Sequence, residues 1–186
     1  MQKLLSIILT INCFCQLIAS AQSPKLMKDR NATIEEARYL KSIYKTEDAI
    51  ELLSGLISPG QIDEEVQNEL ADCYIQAGDL DAAASTYSTL LMMKPESILY
   101  RIKLMLTTYR SKDYKSSSEL GLSIIKRDTI PAIVSLTADS FNMMAMPDSA
   151  LIYYNMYIGM NPANPSVVSK AAKIHLEREE YVKVLD

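Results

Sequence analysis

Tryptophan is absent from this 186-residue chain, phenylalanine occurs twice, glycine five times and histidine once. So few glycines exclude a collagen-like chain, and neither the glycine pattern of a phosphate-binding loop nor that of a dinucleotide site is present. A single histidine, His175, leaves no second imidazole for a metal cage, and any histidine-based catalytic relay would have to be built around it. Basic charge is scarce as well. With 19 Lys and Arg against 23 Asp and Glu the net charge is −4, so there is no positive excess to track a phosphate backbone, and nucleic-acid binding is not expected. What the chain does have is 48% apolar residues, enough for a packed core.

The first 21 residues read as a leader rather than as fold. Lys3 precedes an apolar run through Leu4, Leu5, Ile7, Ile8, Leu9 and Ile11, and Ala19-Ser20-Ala21 supplies the small-x-small pattern of signal cleavage before Gln22. The segment Leu4–Ile18 carries Asn12 and Gln16 and is shorter than the roughly 20 residues that span a bilayer. Export to the periplasm or medium is the expectation, with no membrane-spanning segment once the leader is removed. Cys13 and Cys15 fall inside the leader, which leaves Cys73 alone in the mature chain and no intramolecular disulfide. Cys73 is expected to be a buried, inert thiol.

Beyond residue 29 the chain repeats. Ala37, Ala71, Met105, Ala138 and Ala172 recur at steps of 34, 34, 33 and 34, and Ala49, Ala83, Ser117, Ala150 and Val184 keep the same register. Residues around these columns follow helical periodicity with turn residues between them. Within residues 64–97, Leu70-Ala71, Tyr74, Gly78-Asp79-Leu80, Ala83, Tyr87 and Pro95 give the clearest copy, and residues 131–164 repeat it with Ala138, Phe141, Ala145, Ala150, Tyr154, Tyr157 and Pro162.

These residues resemble the tetratricopeptide repeat, a 34-residue helix-turn-helix. The resemblance implies an all-α, right-handed solenoid over residues 30–186, with a linker at 22–29, copies at 30–63, 64–97, 98–130 and 131–164, and an incomplete copy at 165–186. The first and third copies depart from the pattern. Glu36 replaces an apolar residue and Tyr44 a glycine, while Thr108 and Gly121 replace two aromatics. The family's early tryptophan is missing throughout, with Gln67, Arg101, Val134 and Val168 in its places. Locally, Thr33-Ile34-Glu35-Glu36 reads as a capping box opening the first helix, Asp79 and Asp148 as acidic helix starts, and no proline falls in an expected helix interior.

No constellation demands an enzyme. The carboxylate clusters Asp63-Glu64-Glu65 and Glu177, Glu179 and Glu180 read as a helix start and a solvated face, the ten methionines as core filling, and no cofactor or metal is expected. At about 100° per residue, Leu99, Ile102, Leu106 and Tyr109 share a helix face within about 80°, roughly opposite Leu104, Met105 and Thr108. By the family's geometry this second apolar face lines a concave groove, between a basic entrance at Arg38 and Lys41 and a polar exit at Asp139 and Asn142. The expected function is an exported, non-enzymatic scaffold that binds a peptide or protein surface in that groove. Its rival is the sensor part of a longer membrane-spanning signalling protein, to which the incomplete last copy points.

Overall fold

The computed structural model describes residues 29–177, and every regular element among them is an α-helix. In chain order these are α1 (29–42), α2 (Thr46–Ser54), α3 (Glu64–Ala77), α4 (Leu80–Met93), α5 (Ile98–Arg110), α6 (Tyr114–Ile125), α7 (Pro131–Met143), α8 (Pro147–Met160) and α9 (Pro165–Glu177). The expected leader, the linker up to residue 28, Val184 and the second helix of the last copy lie outside the described residues. The chain divides into two compact units, residues 1–73 and 74–186, and the division falls within α3.

In the first unit, Ala37 and Ala49 are buried, as are Ile34, Leu53, Val66 and Leu70. The capping box does not form. Thr33 is already one turn inside α1, where its hydroxyl donates to the Asp29 carbonyl at 2.9 Å. A tertiary interaction overrides the local signal: the Arg30 guanidinium donates to both oxygens of Asp63, at 2.6 and 2.7 Å, and so fixes a helical turn upstream of Thr33. Asp63 also caps α3 by accepting from the Val66 amide. Glu36 has a reason for departing from the pattern. Val66, Leu70 and Cys73 on α3 are buried, whereas Ala32, Glu36 and Tyr39, which hold the same places one repeat earlier on α1, are exposed.

The second unit is a succession of packed neighbours, α4 on α5, α5 on α6, α6 on α7, α7 on α8 and α8 on α9. Both small-residue columns are fully buried here at Ala83, Met105, Ser117, Ala138 and Ala150. On α9 the buried side chains are Val167, Ala171 and Ile174, which join the α8 cluster around Leu151 and Tyr154. Val168, Ala172 and His175 lie on the other flank of α9, the one that earlier copies turn toward their own second helix. Prolines 131, 147 and 165 each occupy the first position of a helix, where the missing amide hydrogen has no intrahelical partner to lose.

Backbone geometry keeps the same register as the columns. Tyr44, Gly78, Lys112 and Ala145 all have positive φ, between 55° and 82°, at the turn inside each copy. This left-handed residue ends each first helix and suits glycine, yet only Gly78 supplies one. The residue that follows starts the second helix. Asp79 and Asp113 cap it by accepting from the amides of Ala82 and Ser116, at 3.0 and 3.1 Å, whereas Met146 offers no side-chain cap, a loss of about 1 kcal/mol.

Gly121 holds the place that a buried tyrosine, Tyr87 or Tyr154, holds in the neighbouring copies, and Met105 holds an alanine's place. The exchange is complementary: a Cβ added at Gly121 would lie 2.8 Å from Met105 Cε and 2.1 Å from Thr137 Oγ1. Gly121→Ala is therefore expected to lower stability by about 1–3 kcal/mol through overpacking, even though alanine is the better helix former. Adding Thr137→Ala should recover at least about 1 kcal/mol, since it removes the nearest obstructing atom. Urea unfolding of the four proteins of this cycle reads the coupling, and strictly additive effects would mean that α6 and α7 do not meet at this point.

Candidate functional site

The groove residues expected from the pattern fall in both units. In the first, Arg38 and Lys41 do not form a free basic entrance. Arg38 donates to Glu69 at 2.8 Å, to Glu35 at 2.6 Å and to Glu65 at 3.1 Å, and Lys41 donates to the second Glu69 oxygen at 2.7 Å. Their charge is thus balanced by carboxylates from α1 itself and from α3. Burial pushes the Glu69 carboxyl up, but the hydrogen bonds from Lys41 and Arg38 outweigh it and hold the group below the usual carboxylate range. Asp63 is held down in the same direction by Arg30.

In the second unit, Leu99 and Leu106 on α5 are 58% and 43% exposed, while Ile102 and Tyr109 are half-buried. The four residues do share a face, but its edges differ in depth. Ile102 packs against the cluster of Met105, Ile124 and Ile133, and the Tyr109 ring meets Tyr114 edge-on at 5.4 Å. The other side of α5 is the buried one, with Met105 and Thr108 enclosed and Leu104 partly so.

Tyr109 also lines a cavity of about 280 Å³ together with Asp139, Asn142, Tyr154, Lys170 and Lys173. Asn142 is exposed at this cavity, whereas Asp139 is committed: the Lys170 ammonium donates to both of its oxygens, at 2.7 and 2.8 Å, and the Tyr154 hydroxyl to one of them at 2.6 Å. Burial, reinforced by the bond to Asp139, pushes the Tyr154 hydroxyl far above its ordinary range, and burial also raises Tyr109. Both phenols therefore stay neutral at physiological pH and act as hydrogen-bonding and apolar surface rather than as acid or base. Cys73 is almost fully enclosed and its thiol is pushed up by burial, which makes it unreactive. Among the described residues no group of three His, Cys, Asp or Glu side chains could hold a metal ion.

The ion-pair and hydrogen-bonding roles of Glu69, Tyr154 and Lys170 escaped the sequence reading, although a signal for two of them exists. Arg38 with Glu69 and Asp139 with Lys170 are both opposite charges 31 residues apart, each joining one first helix to the next. At the corresponding places of α5 and α7 stand Leu106 and Leu136. An apolar pair of positions thus replaces a charged one, and Leu106 is left facing solvent.

A tetratricopeptide-repeat family model matches residues 44–105. No curated protein sequence matches the chain. Among solved structures, similar folds include MamA of strain AMB-1, at TM-score 0.71 and 15% identity over 83% of this chain and 85% of that one. MamA of strain MSR-1 gives 0.70 and 16% over 87% and 91%, and MamA from Desulfovibrio magneticus RS-1, residue 41 to its end, gives 0.72 and 10% over 83% and 88%. At these identities the likeness is one of fold, an all-α solenoid of helix-turn-helix repeats.

The depressed carboxylates set an acid limit. A group whose folded pKa lies below its unfolded value adds stability that is complete above the unfolded value, near pH 4, and is lost as pH falls through the folded one. Stability should therefore be level around neutrality and decline below about pH 4, as Glu69 and Asp63 take up protons. Glu69→Gln should remove about 1–2 kcal/mol at pH 7, the modest size reflecting the partly solvated cations it leaves, and should flatten the acid decline. Thermal unfolding at about pH 7 and about pH 3.5 measures both effects, and an unchanged acid profile in the variant would contradict them.

Proposed function

The chain is a tetratricopeptide-repeat protein, and from that premise we propose that it is an exported, non-enzymatic scaffold that binds a peptide or protein surface on the first-helix face of its second unit. The observation that carries this reading is the pair Leu99 and Leu106, large aliphatic side chains left open on α5 and flanked by the cavity at Tyr109 and Asn142. A strip of this kind gains by removal from water, and polar groups at its rim fix orientation without adding much affinity. Raised phenols, an enclosed thiol and carboxylates committed to ion pairs suit recognition better than turnover. Export rests on the leader sequence and its Ala19-Ser20-Ala21 boundary.

Two experiments test the two halves of the proposal. Leu106→Ser should change stability by no more than about 1 kcal/mol, since the side chain is already partly in water, yet should abolish partner capture. A photo-crosslinking residue at position 106, with one at Ser88 on α4 as control, reports this in cells of the native host. A stability loss of about 2–5 kcal/mol would instead identify Leu106 as buried packing and remove the strip as a binding surface. For export, mass analysis of the protein recovered outside the cytoplasm should find Gln22 as the first residue, and recovery of residues 1–21 on that material would reject the cleavage site.

A further inference from the structure

The methionines are not the core filling that their number suggests. Of the eight among the described residues only Met105 is fully buried, and Met143 and Met146 are 55% and 46% exposed. These two belong, with half-buried Met144, to the run Met143-Met144-Ala145-Met146 that forms the turn between α7 and α8. Three thioethers thus occupy four consecutive positions. Ala145 takes the left-handed conformation here, as Tyr44 and Lys112 do in other copies, and Met146, like Lys45, leaves its helix without the side-chain cap that Asp79 and Asp113 provide.

The backbone of this turn is fixed. The amides of Met144, Ala145 and Met146 donate to the carbonyls of Ser140, Asn142 and Phe141 at 3.0–3.1 Å, so three long, flexible side chains are presented from a rigid base. Thioether sulfur is a soft neutral donor, favouring soft monovalent cations over the hard ions that carboxylates hold. We propose that the α7–α8 turn binds a single soft d¹⁰ cation, Cu(I) or Ag(I), through Met143, Met144 and Met146. Met144 and Met146 stand outside the cavity at Tyr109 and Asn142, whereas Met143 also lines it, so the cation site borders the proposed peptide-binding face. Because thioethers carry no titrating proton, its affinity is the same at about pH 5 as at about pH 7, unlike that of a histidine, thiolate or carboxylate site.

Silver ion titrated into the full chain labelled with ¹³C at the methionine methyls tests this residue by residue, with midpoints expressed as free silver because the chain's thiols compete for the added ion. The three turn methyls should shift together, at a silver concentration at least tenfold below that needed to move Met92, which at 81% exposure reports an isolated accessible thioether. Met144→Leu, close to volume-conserving, should raise the midpoint for Met143 and Met146 at least tenfold. Movement of Met92 at the same concentration, independent shifts of the three methyls, an unchanged midpoint in Met144→Leu, or a tenfold weakening at about pH 5 would each overturn the proposal.

Discussion

Close approach of paired helices is the constraint from which the rest of this fold follows. Where a first helix crosses its second helix, each copy places small side chains, and in the third copy the two columns can be seen to meet: the Ser117 hydroxyl donates to the Met105 carbonyl at 3.2 Å. Bulk at such a crossing would push the axes apart, and the misfit would be passed to the next pair, because repeat architectures are held by nearest neighbours. The third copy shows how the constraint bends without breaking. It gains volume at Met105 and gives it up at Gly121, with the hydroxyls of Ser117 and Ser140 bonded to each other across the buried space.

Once the axes are set, the first-helix faces have to be finished at their solvent side, and here two chemistries divide the work. Ion pairs between residues 31 apart satisfy themselves and leave little for a partner, as Arg38 with Glu69 and Asp139 with Lys170 show. Leu106 and Leu136 hold the corresponding places without charge. Within the second unit, then, one rung is internally satisfied and one is not, and association is directed to the unsatisfied one. The charges contribute to specificity chiefly by making every other approach costly to desolvate.

Much of this was legible in the residues alone, and the parts that were not share a cause. The columns through Ala37 and Ala49 were readable because helix crossing depends on side-chain volume, which sequence reports directly. The left-handed turns at Lys112 and Ala145 were not, since neither residue type advertises positive φ, and only the repeat register discloses them. Thr33 misled because a capping box is a local signal, whereas α1 already runs through Asp29 and Arg30, where Arg30 reaches a residue 33 positions away. At the candidate face the apolar residues of α5 were found from periodicity, but the commitment of Arg38, Lys41 and Asp139 depended on partners in the following copy. Periodicity along one helix carries no information about what the next copy brings opposite.

Glu36 has a consequence beyond the first repeat. In a solenoid the groove between successive helices is generic, so a bare apolar flank on α1 would accept the flank of any similar helix, including one from another copy of the same chain. Contacts of that head-to-tail kind do not close on themselves, and they grow into filaments. A helix settling on α1 without a cation opposite would have to strip water from the exposed Glu36 carboxylate uncompensated. One carboxylate on a flank it shares with Ala32 and Tyr39 therefore raises the desolvation cost of covering that flank with an uncharged helix face.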